Sequence, residues 1–332
     1  MTLPKDRMKF LFQGWETDRI PASTYPTRLG YELRMAKRLG FYCLEYMYRD
    51  LGIDIWRNRV LPVFIGQGAN NLCAVDPHPF AECHSIDQVE AFHFPGPNDF
   101  DTVAMMRELT SHYEFSIVAG GIAEGWVPGI FYLYLQMCGQ ENGFVFLKEQ
   151  PVVAKAMIRR ITDYWVQYTQ KVLDAGHELI DIFAESSDFG TQQGLMISLE
   201  DFREFFKPAL RRIYNAVKDY GVKVMQHSCG AIEPLIPEFI ELGADILNPI
   251  QTTAAGMDIR TLHRKYHKDI IFFGGIDTQQ LLSRGSEEEV REEVRRLKNL
   301  FSDNYILAPS HEFGEDVRLS NAMAVYEENL NA

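Results

Sequence analysis

The sequence predicts an α/β protein: an eight-fold β/α barrel of the TIM type, a single domain over residues 1–332, with an insertion in its N-terminal third. Three observations carry that prediction. From residue 179 onward, five short strand-like runs alternate with helical patterns, the order that builds a parallel sheet with crossover helices. Most of the runs are apolar and β-branched without clean alternation, as strands covered on both faces should be. Earlier runs bring the strand total near eight, and 332 residues suit a barrel enlarged by an insertion. A doubly wound open sheet is the rival, weakened because no Gly-x-Gly-x-x-Gly follows any strand.

Taken in order, a helical pattern runs from Lys5 to Gly14, and Ala22 to Pro26 reads as a first short strand. Gly30 to Met47 has Leu33, Met35, Leu39 and Tyr42 at near-helical spacing and reads as one helix. Residues 59–94 carry Gly66, Gly68, Asn70, Asn71, Pro77 and Pro79 between short β-type runs, which predicts an antiparallel, β-rich insertion. Asp101 to Tyr113 is helical, and Phe115–Ala119 is a strand closed by two glycines. The aromatic stretch with Trp126, Phe131, Tyr132 and Tyr134 reads as core packing in preference to a substrate platform. A long amphipathic helix follows from Pro151 to about Gly176. Strands are then expected at 179–183, 222–226, 245–248, 270–273 and 305–308, with helices at 199–220, 231–242, 258–268, 287–301 and 319–330.

The net charge of −13 disfavours nucleic acid and anionic membranes as partners. No apolar run approaches the roughly 20 residues of a membrane span, and the first residues lack a signal-peptide pattern. The five cysteines, Cys43, Cys73, Cys83, Cys138 and Cys229, are scattered and odd in number, against a disulfide framework. The expected location is the cytoplasm.

In barrels the active site gathers at the C-terminal strand ends. Here those ends carry Glu185 and Asp188, His227 and Cys229, Asn248 and Gln251, Asp277, and the run Ser310-His311-Glu312. His227 and Cys229 are two apart, so a strand turns both to one side. With His311 they make three soft-to-borderline donors, the number found in catalytic zinc sites that keep a fourth position open. Against that stand blander readings: Cys229 as a small buried hydrophobe, and His311 as a loop histidine bonded to a neighbour. His263 and His267, four apart beside Arg264, Lys265 and Lys268, read as a solvated helix face.

Several of these segments look familiar together. Asp188-Phe-Gly-Thr-Gln-Gln-Gly194 with Ile197-Ser198, Phe202 and Lys207-Pro208, then His227-Ser-Cys-Gly230, Gly243-Ala-Asp-Ile-Leu-Asn-Pro-Ile-Gln251, Gly274-Gly-Ile-Asp277 and Ala308-Pro-Ser-His311 resemble the uroporphyrinogen decarboxylase superfamily. The resemblance covers about residues 150–330 well and the first third loosely. It implies a β/α barrel and one of two chemistries. One branch decarboxylates uroporphyrinogen without a cofactor. The other consists of corrinoid-dependent methyltransferases that hold zinc through His-x-Cys and a later Cys. Carried over, His227 and Cys229 match the first two ligands, and His311 stands where the later Cys is expected. The decarboxylase's Arg-Gln-Ala-Gly-Arg-Tyr motif is missing; only Arg28 and Arg34 fall near it. Its catalytic aspartate segment falls on Trp56-Arg-Asn-Arg59, which has no carboxylate.

The resemblance therefore implies a zinc-dependent, corrinoid-linked methyltransferase acting with a small methyl donor or thiol acceptor and a corrinoid protein or free cobamide. Its metal ligands would be His227, Cys229 and His311. Glu185 and Asp188 would be its catalytic carboxylates, and Asn248, Gln251 and Asp277 would orient substrate. Family analogy adds a homodimer. A cofactor-free decarboxylase is the alternative, and a tetrapyrrole carrier without chemistry is a third reading.

Overall fold

The computed structural model describes residues 2–331 apart from 26, 28, 61–62, 65–76, 122–128 and 302; at 63–64 only the backbone is described. Seven strands form one sheet: β1 (Ile55–Arg57), β2 (Ser116–Gly120), β3 (Ile180–Ser186), β4 (Lys223–His227), β5 (Ile246–Ile250), β6 (Ile271–Ile276) and β7 (Tyr305–Pro309). They lie side by side in chain order, each parallel to the next. Helices fill the connections, among them Val103–Ser111, Pro151–Gly176, Lys207–Lys218, Ile236–Leu242, Ile259–Tyr266 and Glu287–Leu300, and Leu319–Leu330 follows β7. This is the β/α alternation expected.

The two edges of the sheet meet through the segment 21–23. Leu307 N–H donates to Pro21 O and Ser23 N–H to Leu307 O, while Asp54 N–H donates to Ala22 O. The segment thus bonds to β7 on one side and to the residue before β1 on the other, in the eighth position of the ring. The short strand expected at Ala22–Pro26 is present only as a single bridge at Ala22.

Two apolar layers result. The inner one draws alternate residues from every strand: Ile55, Val118, Ile182 with Ala184, Met225, Ile246, Ile271 with Phe273, and Ile306 with Ala308. Met8 and Leu11 of the helix Pro4–Phe12 join it. That helix sits at the N-terminal ends of the strands, where Lys5 Nζ donates to Leu179 O and pairs with Asp181 at 3.1 Å. The larger outer layer packs the other strand faces against the helices, with Trp165, Phe206, Tyr214 and Tyr326 fully buried.

Asp54 ties the floor to the seam. Its buried carboxylate accepts from Arg7 Nη1, from Arg19 at 2.7 and 3.0 Å, and from Ala22 N–H at 2.9 Å. Each carboxylate oxygen thereby accepts two bonds, and Arg7 is itself buried.

Two expectations need correction. The helix read over Gly30–Met47 is two, Leu29–Arg38 and Leu44–Asp50, because Gly40 takes φ +79°, outside the helical region. The helix read over 231–242 begins as a 3-10 turn at Glu233–Leu235 and is helical only from Ile236. The β-rich insertion at 59–94 is represented among the described residues by Val63–Phe64, paired antiparallel with Phe100–Asp101, and by a helix at Ile86–Glu90. Gly66, Gly68, Asn70, Asn71, Cys73, Trp126 and Arg28 lie outside the described residues. Phe131 and Tyr134 are core residues, as read, whereas Tyr132 is 37% exposed.

Strand parity also decides what Glu185 does. Ile182 and Ala184 face inward, so Glu185 faces outward. There its Oε1 accepts from Ile130 N–H at 2.8 Å and Ser187 Oγ at 2.7 Å, and its Oε2 from Gln226 Nε2 at 2.8 Å. It caps the helix Ile130–Cys138, whose partial positive charge favours a carboxylate. Burial nonetheless dominates the bonds and raises its pKa to about 6.

Two outcomes follow. Asp54→Ala strands the buried Arg7 charge and should cost about 3–5 kcal/mol in urea denaturation; a loss below about 1 kcal/mol would contradict the seam. Glu185 has a higher pKa folded, about 6, than its ordinary value of 4.5. Its contribution is therefore complete below the lower value and lost as pH rises through the higher. Relative to Glu185→Gln, the wild type should lose about 2 kcal/mol between pH 4 and 7, read from denaturation midpoints; a flat difference would refute it.

Candidate metal centre

At the end of β4, Met225 faces inward, and the same parity turns His227 into the mouth of the barrel. The imidazole is largely buried, with Nδ1 2.7 Å from Asn248 Oδ1 at the end of β5. Asn248 Nδ2 faces Phe273 O at 3.4 Å, so the amide oxygen is the atom turned to the ring. His227 Nδ1 must then donate, which leaves the Nε2 lone pair pointing into the mouth.

Cys229 follows on a loop shaped by two glycines. Gly230 takes φ +90°, and a Cβ there would meet Gly190 C at 2.6 Å, so the loop after β4 lies directly on the loop after β3. Ala231 N–H donates to Thr191 O at 2.7 Å across that contact. Gln251 Oε1 accepts from Gly230 N–H at 2.7 Å, and Asp188 Oδ1 accepts from Cys229 N–H at 2.7 Å.

The outcome is a cluster of three donors: a carboxylate oxygen of Asp188, an imidazole nitrogen of His227 and the Cys229 sulfur, all within 4.8 Å of one another. His227 Nε2 lies 3.6 Å from Cys229 Sγ and 3.5 Å from Asp188 Oδ1. Two donors bound tetrahedrally to one zinc ion at about 2.0–2.3 Å stand roughly 3.4–3.7 Å apart. The spacing, the mixture of S, N and O, and the Asn248-fixed tautomer fit a zinc ion.

The electrostatics agree with that fit. Burial holds the His227 imidazole below its usual range; Asp188 and the Asn248 bond oppose this, and the charge of His311 reinforces it. Burial, then Asp188 and Glu312, push the Cys229 thiol well above its ordinary value. A divalent ion bound there would displace the thiol proton and take up the imidazole lone pair.

The other expected residues fall as follows. His311 is exposed on the loop after β7 and is not part of the donor group; the strand ends at Pro309, and His311 follows buried Ser310. Asp188, expected as a catalytic carboxylate, takes the third position in the cluster. Glu185, expected beside it, faces away from the mouth. Asn248 and Gln251, expected to orient substrate, bond to His227 and to the Gly230 N–H beside the cluster. Asp277 accepts from the backbone N–H groups of Gln279, Gln280 and Leu281, so it caps the turn into Leu281–Arg284. His263 and His267 stack on each other at 4.2 Å far along a helix.

Two mouth residues had no role in the sequence reading. Arg57 ends β1 two residues after inward-facing Ile55 and is buried; period-2 alternation was the signal that could have found it. Tyr25 belongs to the inner layer, packs against Phe273 at 5.5 Å, and meets His227 edge-on at 6.1 Å. Beside Asp188 opens a cleft of about 260 Å³, lined by His78, Tyr132, Leu135, Gln136, Gln140 and Met196.

Comparison with known proteins adds ancestry. The sequence profile described as uroporphyrinogen decarboxylase (URO-D) matches residues 77–329. The uroporphyrinogen decarboxylase of Bacillus anthracis is 30% identical over 106 residues, 32% of this chain and 28% of that protein; that of Bacillus thuringiensis (strain Al Hakam) is 29% identical over the same coverage. The match thus spans little more than a quarter of those relatives' length. A methyltransferase from Methanosarcina mazei has the same fold, with a TM-score of 0.69 at 13% identity, covering 99% of this chain and 98% of that one. A profile match over most of the length, on a β/α barrel, makes this chain a member of the uroporphyrinogen decarboxylase (URO-D) family.

Proposed function

We propose that the chain is a zinc-dependent methyltransferase that moves a methyl group between a small molecule and a corrinoid. The observation that carries this reading is the cluster of Asp188, His227 and Cys229, with donor spacings of 3.5 and 3.6 Å at the mouth of the barrel. The fold it shares with the Methanosarcina mazei methyltransferase agrees with it.

His227, held by Asn248, offers Nε2. Cys229 offers its sulfur after losing its proton, and Asp188 offers a carboxylate while accepting the Cys229 N–H bond that holds the loop. Zinc held there, with its fourth position open, would act as a Lewis acid on the heteroatom of a methoxy or methylamino donor, or would favour the thiolate of a thiol acceptor. The adjoining cleft, with Leu135, Met196 and the ring of Tyr132, takes the apolar part of a small substrate and keeps water from it, while Gln136 and Gln140 supply polar contacts. His311, at the rim, adds a charge that acts on His227. The methyl carrier would be a free cobamide or a corrinoid protein.

A carboxy-lyase of the uroporphyrinogen type is the second reading, favoured by the names of the curated relatives. The segment Trp56–Arg59 weakens it, since the mouth there presents Arg57 and no carboxylate.

Elemental analysis of the purified chain should find about one zinc per chain. Cys229→Ser and Asp188→Ala should each weaken zinc binding by at least about tenfold with circular dichroism unchanged, while His311→Ala keeps the metal. A metal-free wild type with full activity would overturn the reading, as would zinc lost with His311 and kept without Asp188. Incubated with reduced cobamide and methylated small molecules, the wild type should form methylcobamide and Cys229→Ser should not. Carbon dioxide released from uroporphyrinogen, with no methyl transfer, would establish the second reading instead.

A further inference from the structure

The segment His227-Ser-Cys229 supplies two of the three donors, and the serine between them has no part in the donor set. Ser228 is fully buried. Its N–H donates to Asn248 O at 2.8 Å, which continues the ladder between β4 and β5. Its hydroxyl crosses to the loop after β3, where Oγ accepts from Phe189 N–H at 3.0 Å. Phe189 follows Asp188 directly. On the other side of Asp188, Ser187 N–H donates to His227 O at 3.1 Å. Both neighbours of Asp188 are thus tied to the end of β4. One tie uses a carbonyl that any residue has; the other uses a hydroxyl that depends on Ser228. The ring of Phe189 is held separately, stacked on Phe131 at 4.8 Å and edge-on to Phe202 and Phe206 at 5.2 and 5.9 Å. With the ring alone to hold it, the peptide unit between Asp188 and Phe189 would be free to turn.

We infer that Ser228 is a positioning residue for the metal centre: its hydroxyl sets where the Asp188 carboxylate stands relative to His227 Nε2 and Cys229 Sγ. The inference rests on the reading that Asp188, His227 and Cys229 hold zinc. Phe189 N–H is buried and has no other acceptor among the described residues. Without the hydroxyl it would turn toward another partner or water, because a buried amide left unpaired is costly. Turning that peptide unit moves the backbone of Asp188, and with it the carboxylate and the Cys229 N–H bond it accepts. His227 keeps its own support from Asn248. Ser228 therefore acts on the metal through Asp188. Partners that orient a ligand in this way are worth about 10–100-fold in metal affinity.

The test measures zinc affinity of the full chain by competition with a chelating dye, for the wild type, Ser228→Ala, Asp188→Ala and the double variant. Ser228→Ala should weaken zinc binding about tenfold. In the Asp188→Ala background the same substitution should change the affinity by no more than about twofold, because the group it positions is gone. A serine with a structural role only would lower the urea midpoint in both backgrounds without that loss of additivity. With cobalt(II) at saturation, Ser228→Ala should keep the near-ultraviolet absorption of a thiolate on cobalt, since Cys229 still binds. Three results would overturn the assignment and leave the zinc reading standing: an affinity of Ser228→Ala within about twofold of wild type, losses that multiply in the double variant, or a missing thiolate band. A wild type that binds no zinc would overturn both. Should Ser228→Ala fail to fold, Ser228→Thr takes its place. It keeps an acceptor, so its zinc affinity should stay within about threefold of wild type, and a loss of about tenfold would count against the assignment.

Discussion

A strand in a closed sheet can turn only every second side chain inward, and the mouth of this barrel is governed by that alternation. At β4 it sends Met225 into the floor and His227 into the opening, with Cys229 completing the series on the loop beyond. At β3 it sends Ala184 inward and Glu185 outward, so two carboxylates three residues apart have unrelated work. Asp188 reaches the cluster, and Glu185 anchors a helix on the far side of the sheet. At β1 it places Arg57 above Ile55. A one-residue slip in any of these strands would exchange mouth for core.

The contact between Gly190 and Gly230 converts parity into proximity. Neither position tolerates a Cβ without meeting backbone within 2.7 Å, so the loops after β3 and β4 lie closer than side chains would permit. There the Cys229 N–H donates to the Asp188 carboxylate. The result is a thiol, an imidazole and a carboxylate within 4.8 Å of one another, with burial disfavouring the charged forms of His227 and Cys229.

Much of this was legible in the sequence. The alternation of apolar runs and helical patterns identified the parallel sheet, and the run ending at His227-Ser-Cys229 identified the segment around which the site is built. What was not legible depends on the third dimension. Residues at strand ends were treated as equivalent, yet Glu185 spends its carboxylate on the Ile130 N–H and on Ser187 and Gln226, Asp277 on backbone N–H groups, and Asn248 spends its amide on His227. Proximity in sequence to a strand end does not say which way a side chain leaves it. Tyr25 escaped notice because the bridge at Ala22 is too short to show a pattern, and its placement comes from pairing with a strand at the other end of the sequence.

That pairing has a consequence for how the molecule comes to work. The segment that carries Tyr25 can find its neighbour in the ring only once β7 exists, and β7 is the last strand made. During synthesis the early segments can collapse onto the floor helix and one another, but the opening stays unfinished on one side. Long-range pairings of this kind form late, since the loop they close is the longest in the fold. A growing chain therefore carries Asp188, His227 and Cys229 before the ring around them is closed, and closure waits for residues 21–23 to meet β7.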